Sequence, residues 1–228
     1  MRKNGSRLIS LRQYRLTDLF LFALILIVFD LLAHFAPIMF PGGALYTFSL
    51  TIPMTLLVMM RWGWPAVFFA VGDGILQSAL NNTYVWQSYV CYAIGNAFIM
   101  LLLLAFKFWD KRKIAKKWQF SVLFVVSGWV IMCFAVTAMQ AICGTPFVSA
   151  LALNFGLGTN GALSLAVAIV VILIMRRLDG MFEDQKQYLK RLDDERKEKM
   201  KIDEFGESPI EIDEETILAL RKTDENLD

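Results

Sequence analysis

LFLFALILIVFDLLAHFA, residues 19–36, is an apolar run interrupted only by Asp30 and His34, and its reading decides the fold. At ~1.5 Å per helical residue, such a run covers most of the ~30 Å of hydrocarbon in a bilayer. The basic arm before it, with Arg2, Lys3, Arg7, Arg12 and Arg15, resembles the charged start of a signal peptide. The run is too long for the ~7–15 residue apolar region of a signal, and no small-x-small cleavage site follows it. It reads as a retained first membrane helix.

Outward from this run the chain keeps its apolar character. Of 228 residues, 57% are hydrophobic and 19% charged, against the ~25% charged of an ordinary soluble domain. Arg61 is the only basic residue between positions 16 and 106, and only Asp18, Asp30, Asp73 and Asp110 of the 21 acidic residues precede position 178. Neutral runs of this length are buried in lipid or in a membrane bundle. Six spans are expected: Thr17–Ala36, Tyr46–Met60, Pro65–Leu80, Val85–Phe108, Trp118–Cys143 and Phe147–Met175. Breakers fall between them at Pro37, Pro41-Gly42-Gly43, Gly63 with Pro65, Asn81-Asn82, and Gly144 with Pro146.

Basic residues sort by loop. The amino-terminal arm, the 60–64 turn, the 107–117 loop and the segment from Arg176 onward hold all 23 Lys and Arg, and the loops near 37–45, 81–84 and 144–146 hold none. The positive-inside bias then puts both ends in the cytoplasm. The predicted fold is an all-α integral membrane protein of six transmembrane helices. A basic cytoplasmic arm (1–16) precedes the membrane domain (17–177), and a charged, partly helical cytoplasmic tail (178–228) follows it. The sixth helix is expected to continue into that tail through Met200, Ser208-Pro209 to break the pattern, and a short helix to form near Glu214–Lys222. The location is a cell membrane, the lipid bilayer is itself a partner, and no nucleic-acid partner is expected.

Orientation gives depth to the polar side chains. Asp30 and His34 share one face in the outer half of the first helix. Asp73, Gln77 and Asn81 form a stripe on the third. Gln87, Tyr89, Tyr92 and then Asn96 descend the fourth, Thr137 and Gln140 end the fifth, and Asn154 to Asn160 begin the sixth. Polar groups gather in the outer and central depths over an apolar inner half, which suits a pocket open outward and sealed below rather than a conduit. The candidate substrate-binding residues are Asp30, His34, Tyr46, Gln77, Asn81, Tyr84, Gln87, Tyr89, Tyr92, Trp129, Gln140 and Asn154. Plainer readings stand beside these: an Asp30–His34 pair, interhelical hydrogen bonds from Gln77, Gln140 and Asn154, and a simple turn at Asn81. Ala152, Gly156, Asn160, Ser164 and Ala168 read as a close-packing stripe, and Cys91, Cys133 and Cys143 as buried, inert thiols.

The stretch Arg61-Trp62-Gly63-Trp64-Pro65 leading to Gly72-Asp73-Gly74, the glycine-containing loop Pro37–Tyr46, and the size and helix count over about residues 15–177 carry a family resemblance. The chain resembles the substrate-binding S components of energy-coupling factor (ECF) transporters, including those of the bacterial inner membrane. The first helix departs from the family's Ala-x-x-x-Ala pattern, since Ala23 is followed at +4 by Ile27 and Ala33 by Pro37. The resemblance implies capture of a vitamin-like small molecule outside the cell, then docking with a membrane coupling subunit and two cytoplasmic ATPases. It implies no cofactor in this chain. The sequence lacks a Gly-x-x-x-x-Gly-Lys-Ser/Thr loop, so ATP would be used by the partners. With no Lys or Arg in the outer half, aromatics and amides suit a flat, neutral or cationic heterocycle.

Two other functions compete. A stand-alone proton-coupled transporter would use Asp30, His34 and Asp73 as a relay; the apolar inner half and the absence of an internal repeat count against it. A membrane scaffold would recruit a partner through residues 179–228. An intramembrane enzyme is disfavoured: the single histidine excludes a His-Glu-x-x-His site, and no Gly-x-Ser-x-Gly elbow is present.

Overall fold

The computed structural model describes residues 11–39, 49–80, 86–156, 161–185, 187–192, 194, 195 and 198. Among these residues the regular structure is helical throughout: α1 (Leu11–Met39), α2 (Thr51–Trp62), α3 (Ala66–Leu80), α4 (Trp86–Ala97), α5 (Leu102–Ala105), α6 (Lys111–Lys116), α7 (Trp118–Ile142), α8 (Phe147–Phe155) and α9 (Ala162–Met175). A 3-10 turn over Phe98–Leu101 joins α4 to α5. Three stretches, Arg12–Phe35, Trp86–Ala105 and Trp118–Ile142, are long and apolar enough to cross a membrane, and Ala66–Leu80 and Ala162–Met175 are shorter apolar helices.

The helices sort by which of their faces meet protein. α2 is buried on every side and takes the centre, with all residues from Thr51 to Arg61 buried and apolar but for Thr51, Thr55 and Arg61. α1 lies at the edge. It buries Phe22, Leu26 and Asp30, one stripe at i, i+4 and i+8, and turns Phe20, Leu24, Ile27, Val28 and Leu32 outward. In water that exposed row would be an aggregation surface; against lipid tails it needs no cover, and association of the helices rests on close packing. Packing is tightest where glycine permits it. A Cβ on Gly74 would lie 2.6 Å from the Tyr92 backbone, and one on Gly95 would lie 2.6 Å from the Val136 side chain. α3, α4 and α7 therefore meet nearly backbone to backbone.

One end of the bundle is closed by a clamp around Arg61. Its guanidinium donates to both carboxylate oxygens of Asp18, Nε to Oδ2 at 3.0 Å and Nη2 to Oδ1 at 2.8 Å. Nη1 donates to the Gly180 carbonyl at 2.8 Å and the Met181 carbonyl at 3.3 Å. Trp62 Nε1 donates to Asp18 at 2.6 Å, Lys111 bridges the Met60 carbonyl and Asp184, and Arg176 donates to the Ala115 and Lys116 carbonyls. α6 sits at this same end, N-capped by Asp110, whose Oδ1 accepts from the Arg112 amide. The clamp thus ties α1, the α2–α3 turn, the α6 region and the segment after α9 together.

Two expectations are corrected. The sixth segment is not one helix: α8 ends at Phe155, where the Gly156 amide donates to Ala152 O, and α9 begins at Ala162. The backbone leaves the helical region at Gly156, with φ −96° and ψ −102°. The proposed small-residue stripe is therefore divided: Ala152 and Gly156 are exposed, Ser164 and Ala168 are buried, and Asn160 lies outside the described residues. Nor does the last helix run on into the tail. α9 stops at Met175, and the chain turns under the bundle, with Gly180 at φ 70° and Phe182 and Gln185 buried. The left-handed backbone at Gly180 suits glycine, and its freed carbonyl is taken by Arg61 and by Gln185 Nε2.

The chain divides into two compact units, Met1–Gln185 and Lys186–Asp228. In the second, residues 187–192 are helical. Arg191 lies over the Tyr188 ring at 5.3 Å and pairs with Glu195 at 3.7 Å. The expected helix near 214–222 lies outside the described residues.

Candidate functional site

The polar side chains of the first unit gather in two separate networks at the end of the bundle opposite the clamp. The first forms where α2 begins. Ser49 and Thr51 flank Leu50 at that helix start, and their hydroxyls hydrogen-bond each other. Ser49 Oγ donates to Asp30 Oδ1 at 3.2 Å, and Thr51 Oγ1 donates to Asp73 Oδ2 at 2.5 Å. Gln77, one turn beyond Asp73 on α3, donates from Nε2 to Asp73 Oδ2 at 2.7 Å, Ser49 Oγ at 3.0 Å and Thr51 Oγ1 at 3.1 Å. Ser164 of α9 accepts from the Ser49 amide at 3.0 Å. The Asp30 and Asp73 carboxyl groups are linked through the Ser49 and Thr51 hydroxyls.

This nest is closed, since Asp30, Ser49, Thr51, Asp73 and Gln77 are each 5% exposed or less. It is also short of donors. Among the described residues Asp30 Oδ2, Asp73 Oδ1 and Gln77 Oε1 are buried without a hydrogen-bond partner, as is the Thr55 hydroxyl one turn along α2. An unmatched buried polar atom is costly, and in native proteins it calls for an explanation. Beside the nest, between α1 and α3, runs an apolar groove of about 670 Å³, lined by Phe20, Ala23, Phe68, Leu76 and Asp73 among others.

The second network joins α4, α7 and α8. Asn154 Nδ2 donates to Gln140 Oε1 at 2.9 Å and to Thr137 Oγ1 at 3.0 Å, and Gln140 Nε2 donates to the Tyr92 hydroxyl at 3.3 Å. Thr137 returns its proton to the Cys133 carbonyl at 2.8 Å. One turn from Tyr92 on the same face of α4, Asn96 is fully buried, and neither of its amide atoms has a partner among the described residues. Trp129 packs edge-on against Phe155, ring centroids 5.0 Å apart, next to Asn154 in the chain. Cys91 and Cys143 are free thiols whose sulfurs lie 3.0 Å apart. Among the described residues this network offers amide and phenol groups beside aromatic faces, with no charged side chain.

The predicted residues therefore divide. Tyr92, Gln140 and Asn154 come together, and Trp129 reaches them only through its ring contact with Phe155, the neighbour of Asn154. Asp30 and Gln77 belong to the other nest. His34 does not pair with Asp30; it is half-buried with its ring edge-on to Phe35 at 5.2 Å, because Asp30 has turned inward to Ser49. Gln87 and Tyr89 are half-buried near the start of α4, outside both networks. Tyr46, Asn81 and Tyr84 lie outside the described residues. Sequence reasoning left out Ser49 and Thr51 altogether; it noted Asn96 only as a polar group on the fourth helix and read Ser164 as part of a packing stripe. Ser49 and Thr51 had one signal, two hydroxyls just past a glycine-containing loop at the head of an apolar run, which also fits an ordinary helix start. Compared with known protein families, with curated proteins and with solved structures, the chain has no match.

Proposed function

We propose that this chain is the substrate-capture (S) component of an ECF-type importer. In this reading it binds a vitamin-like heterocycle from outside, and a membrane coupling subunit with cytoplasmic ATPases drives its delivery inward. The observation that carries the reading is the polarity of the bundle. Side chains that hydrogen-bond without any Lys or Arg collect at one end, and the other is knitted shut by Arg61, Asp18, Lys111 and Arg176. The distance is sizeable: Thr51 and Arg61 are ten residues apart on α2, roughly 15 Å along its axis. The closed end also carries Lys107, Lys113, Lys116 and Lys117, so the positive-inside bias assigns it to the cytoplasm. Six crossings follow, made by α1, α2, α3, α4 with α5, α7, and α8 with α9, and both chain ends are then cytoplasmic.

In this reading Tyr92, Gln140, Asn154 and Asn96 orient the ligand's polar edge, and Trp129 supplies an aromatic wall. An uncharged site of amides and phenol suits a ligand recognised by hydrogen bonds and ring stacking. This chain contributes binding, and bond cleavage of ATP belongs to the partners. The test is to purify the protein from its native host and identify by mass spectrometry what accompanies it. A retained heterocycle or an associated ATPase module supports the reading; neither a ligand nor such a module defeats it.

The nest holding Asp30 and Asp73 favours a second reading, a proton-coupled transporter, since paired intramembrane carboxyls are a common element of relays. The purified protein alone would then move its solute into liposomes under a pH gradient, which a capture component without partners would not sustain.

A further inference from the structure

We propose that Asp30, Asp73 and Gln77 form a binding site for a sodium ion at the junction of α1, α2 and α3. The argument begins with donors and acceptors. The nest holds two carboxyls, two hydroxyls and one amide. Every hydrogen available from Ser49, Thr51 and the Gln77 amide is directed at an oxygen within it, yet Asp30 Oδ2, Asp73 Oδ1 and Gln77 Oε1 remain without a donor. Those three residues are 5%, 2% and 4% exposed, so bulk water does not supply one. Among the described residues no basic side chain joins the nest, and Arg61, which is buried, is committed to Asp18 at the far end of α2.

What the nest lacks is positive charge shared among several oxygens. A single proton bridging the two carboxyls would satisfy Asp30 Oδ2 and Asp73 Oδ1 but leave the Gln77 carbonyl oxygen unmatched. A cation can meet all three at once; the Ser49 hydroxyl oxygen is already engaged by the Thr51 amide and by Gln77 Nε2, so the ion's shell rests on the carboxyl and amide oxygens. The ligand atoms are all oxygen, which selects a hard cation over zinc or copper. The uncommitted oxygens fall short of the 6–8 that calcium takes, and magnesium demands near-ideal octahedral geometry and keeps several waters. A hard monovalent cation of modest size fits best. Bound there, it offsets the charge of two buried carboxylates and pins the start of α2 against α1 and α3.

The site is independent of which solute is captured, and its test uses no solute. The purified full-length protein is heated in detergent at constant ionic strength while sodium chloride replaces choline chloride. The expected result is a saturable rise in unfolding temperature, about 5–10 °C at a hundred-fold excess over Kd, with potassium giving a much smaller rise. Asp73→Asn and Asp30→Asn should lose the sodium response while keeping wild-type far-ultraviolet dichroism. Direct binding of radioactive sodium to the wild type, near one per chain, tests the site without relying on variants. Equal curves for sodium, potassium and choline would overturn the proposal. So would a larger rise with calcium, or a response to pH alone that sodium does not change, which would assign the nest to a proton. None of these outcomes bears on whether a heterocycle co-purifies.

Discussion

Replacing Arg61 with alanine tests the closed end of the bundle. Arg61 is 4% exposed and Asp18 11% by side chain, and the two are joined through two N–H to O contacts at 2.8 and 3.0 Å. Removing the guanidinium strands the Asp18 carboxylate with Trp62 Nε1 as its remaining donor and releases the Gly180 and Met181 carbonyls. Breaking a buried ion pair from one side costs about 3–5 kcal/mol, because the surviving charge is left uncompensated. The packing of the guanidinium over the Phe22 ring, at 5.4 Å, is lost as well. For a chain of this size each kcal/mol moves the unfolding temperature by about 2–4 °C, so Arg61→Ala should lower it by roughly 6–20 °C. Asp18→Asn should cost less, since Arg61 keeps its two carbonyl acceptors. The double variant should fall short of the sum of the singles by about 1–3 kcal/mol, the signature of directly coupled residues. Thermal unfolding in detergent, with hydrogen exchange over residues 176–185 as the local readout, measures both effects. An Arg61→Ala protein within about 0.5 kcal/mol of wild type, with unchanged exchange in that segment, would refute the clamp.

Asn154→Ala removes two donated hydrogen bonds at once, to Gln140 and Thr137, and should weaken ligand binding about tenfold or more, with insertion into the membrane unchanged; normal binding by Asn154→Ala and Gln140→Ala together would displace the site. Gly74→Val should destabilise by about 1–3 kcal/mol or more through overpacking, because a Cβ there meets the Tyr92 backbone at 2.6 Å; a thermal melt decides it. Truncation after Gln185 should leave ligand binding intact, whereas truncation after Leu178 removes Gly180, Phe182 and Gln185 and should lower the unfolding temperature. Loss of binding from the first cut would favour the scaffold reading.

The parts of this fold that were legible in the sequence were those written locally. The apolar runs beginning at Leu19 and Trp118 announce α1 and α7, since a neutral run long enough to span lipid needs no tertiary information. The break at Gly156 was not legible, because glycine is common inside membrane helices and does not by itself end one. The turn after Met175 was hidden for a different reason. The alternation of charged and apolar residues beyond it fits a continuing helix, and contacts with residues distant in sequence, Arg61, Lys111 and Tyr14 among them, hold the segment from Gly180 to Gln185 beneath the bundle. In the site, the spacing of Asp30 and His34 fixes a shared helix face but not a shared partner, and Asp30 found Ser49 instead. Tyr92, Gln140 and Asn154 were each recognisable as polar groups in apolar surroundings. That they meet each other, while Gln77 and Asp30 meet elsewhere, depends on the close approach of α3, α4 and α7 at Gly74 and Gly95.

The most direct test of the central claim is sided chemical access. Single cysteines placed at Thr145, near Gln140, and at Lys113, in α6, are introduced into a cysteine-free background and probed with a membrane-impermeant thiol reagent in intact cells and in inverted vesicles. The account predicts that position 145 reacts only from outside and position 113 only from the cytoplasmic side. Cysteines replacing Asn96 and Leu57 extend the scan inward, and Leu57 should be reached from neither side. Reaction of position 113 from outside, or of position 57 from the cytoplasm in the otherwise folded protein, would contradict an outward-facing receptor with a sealed floor.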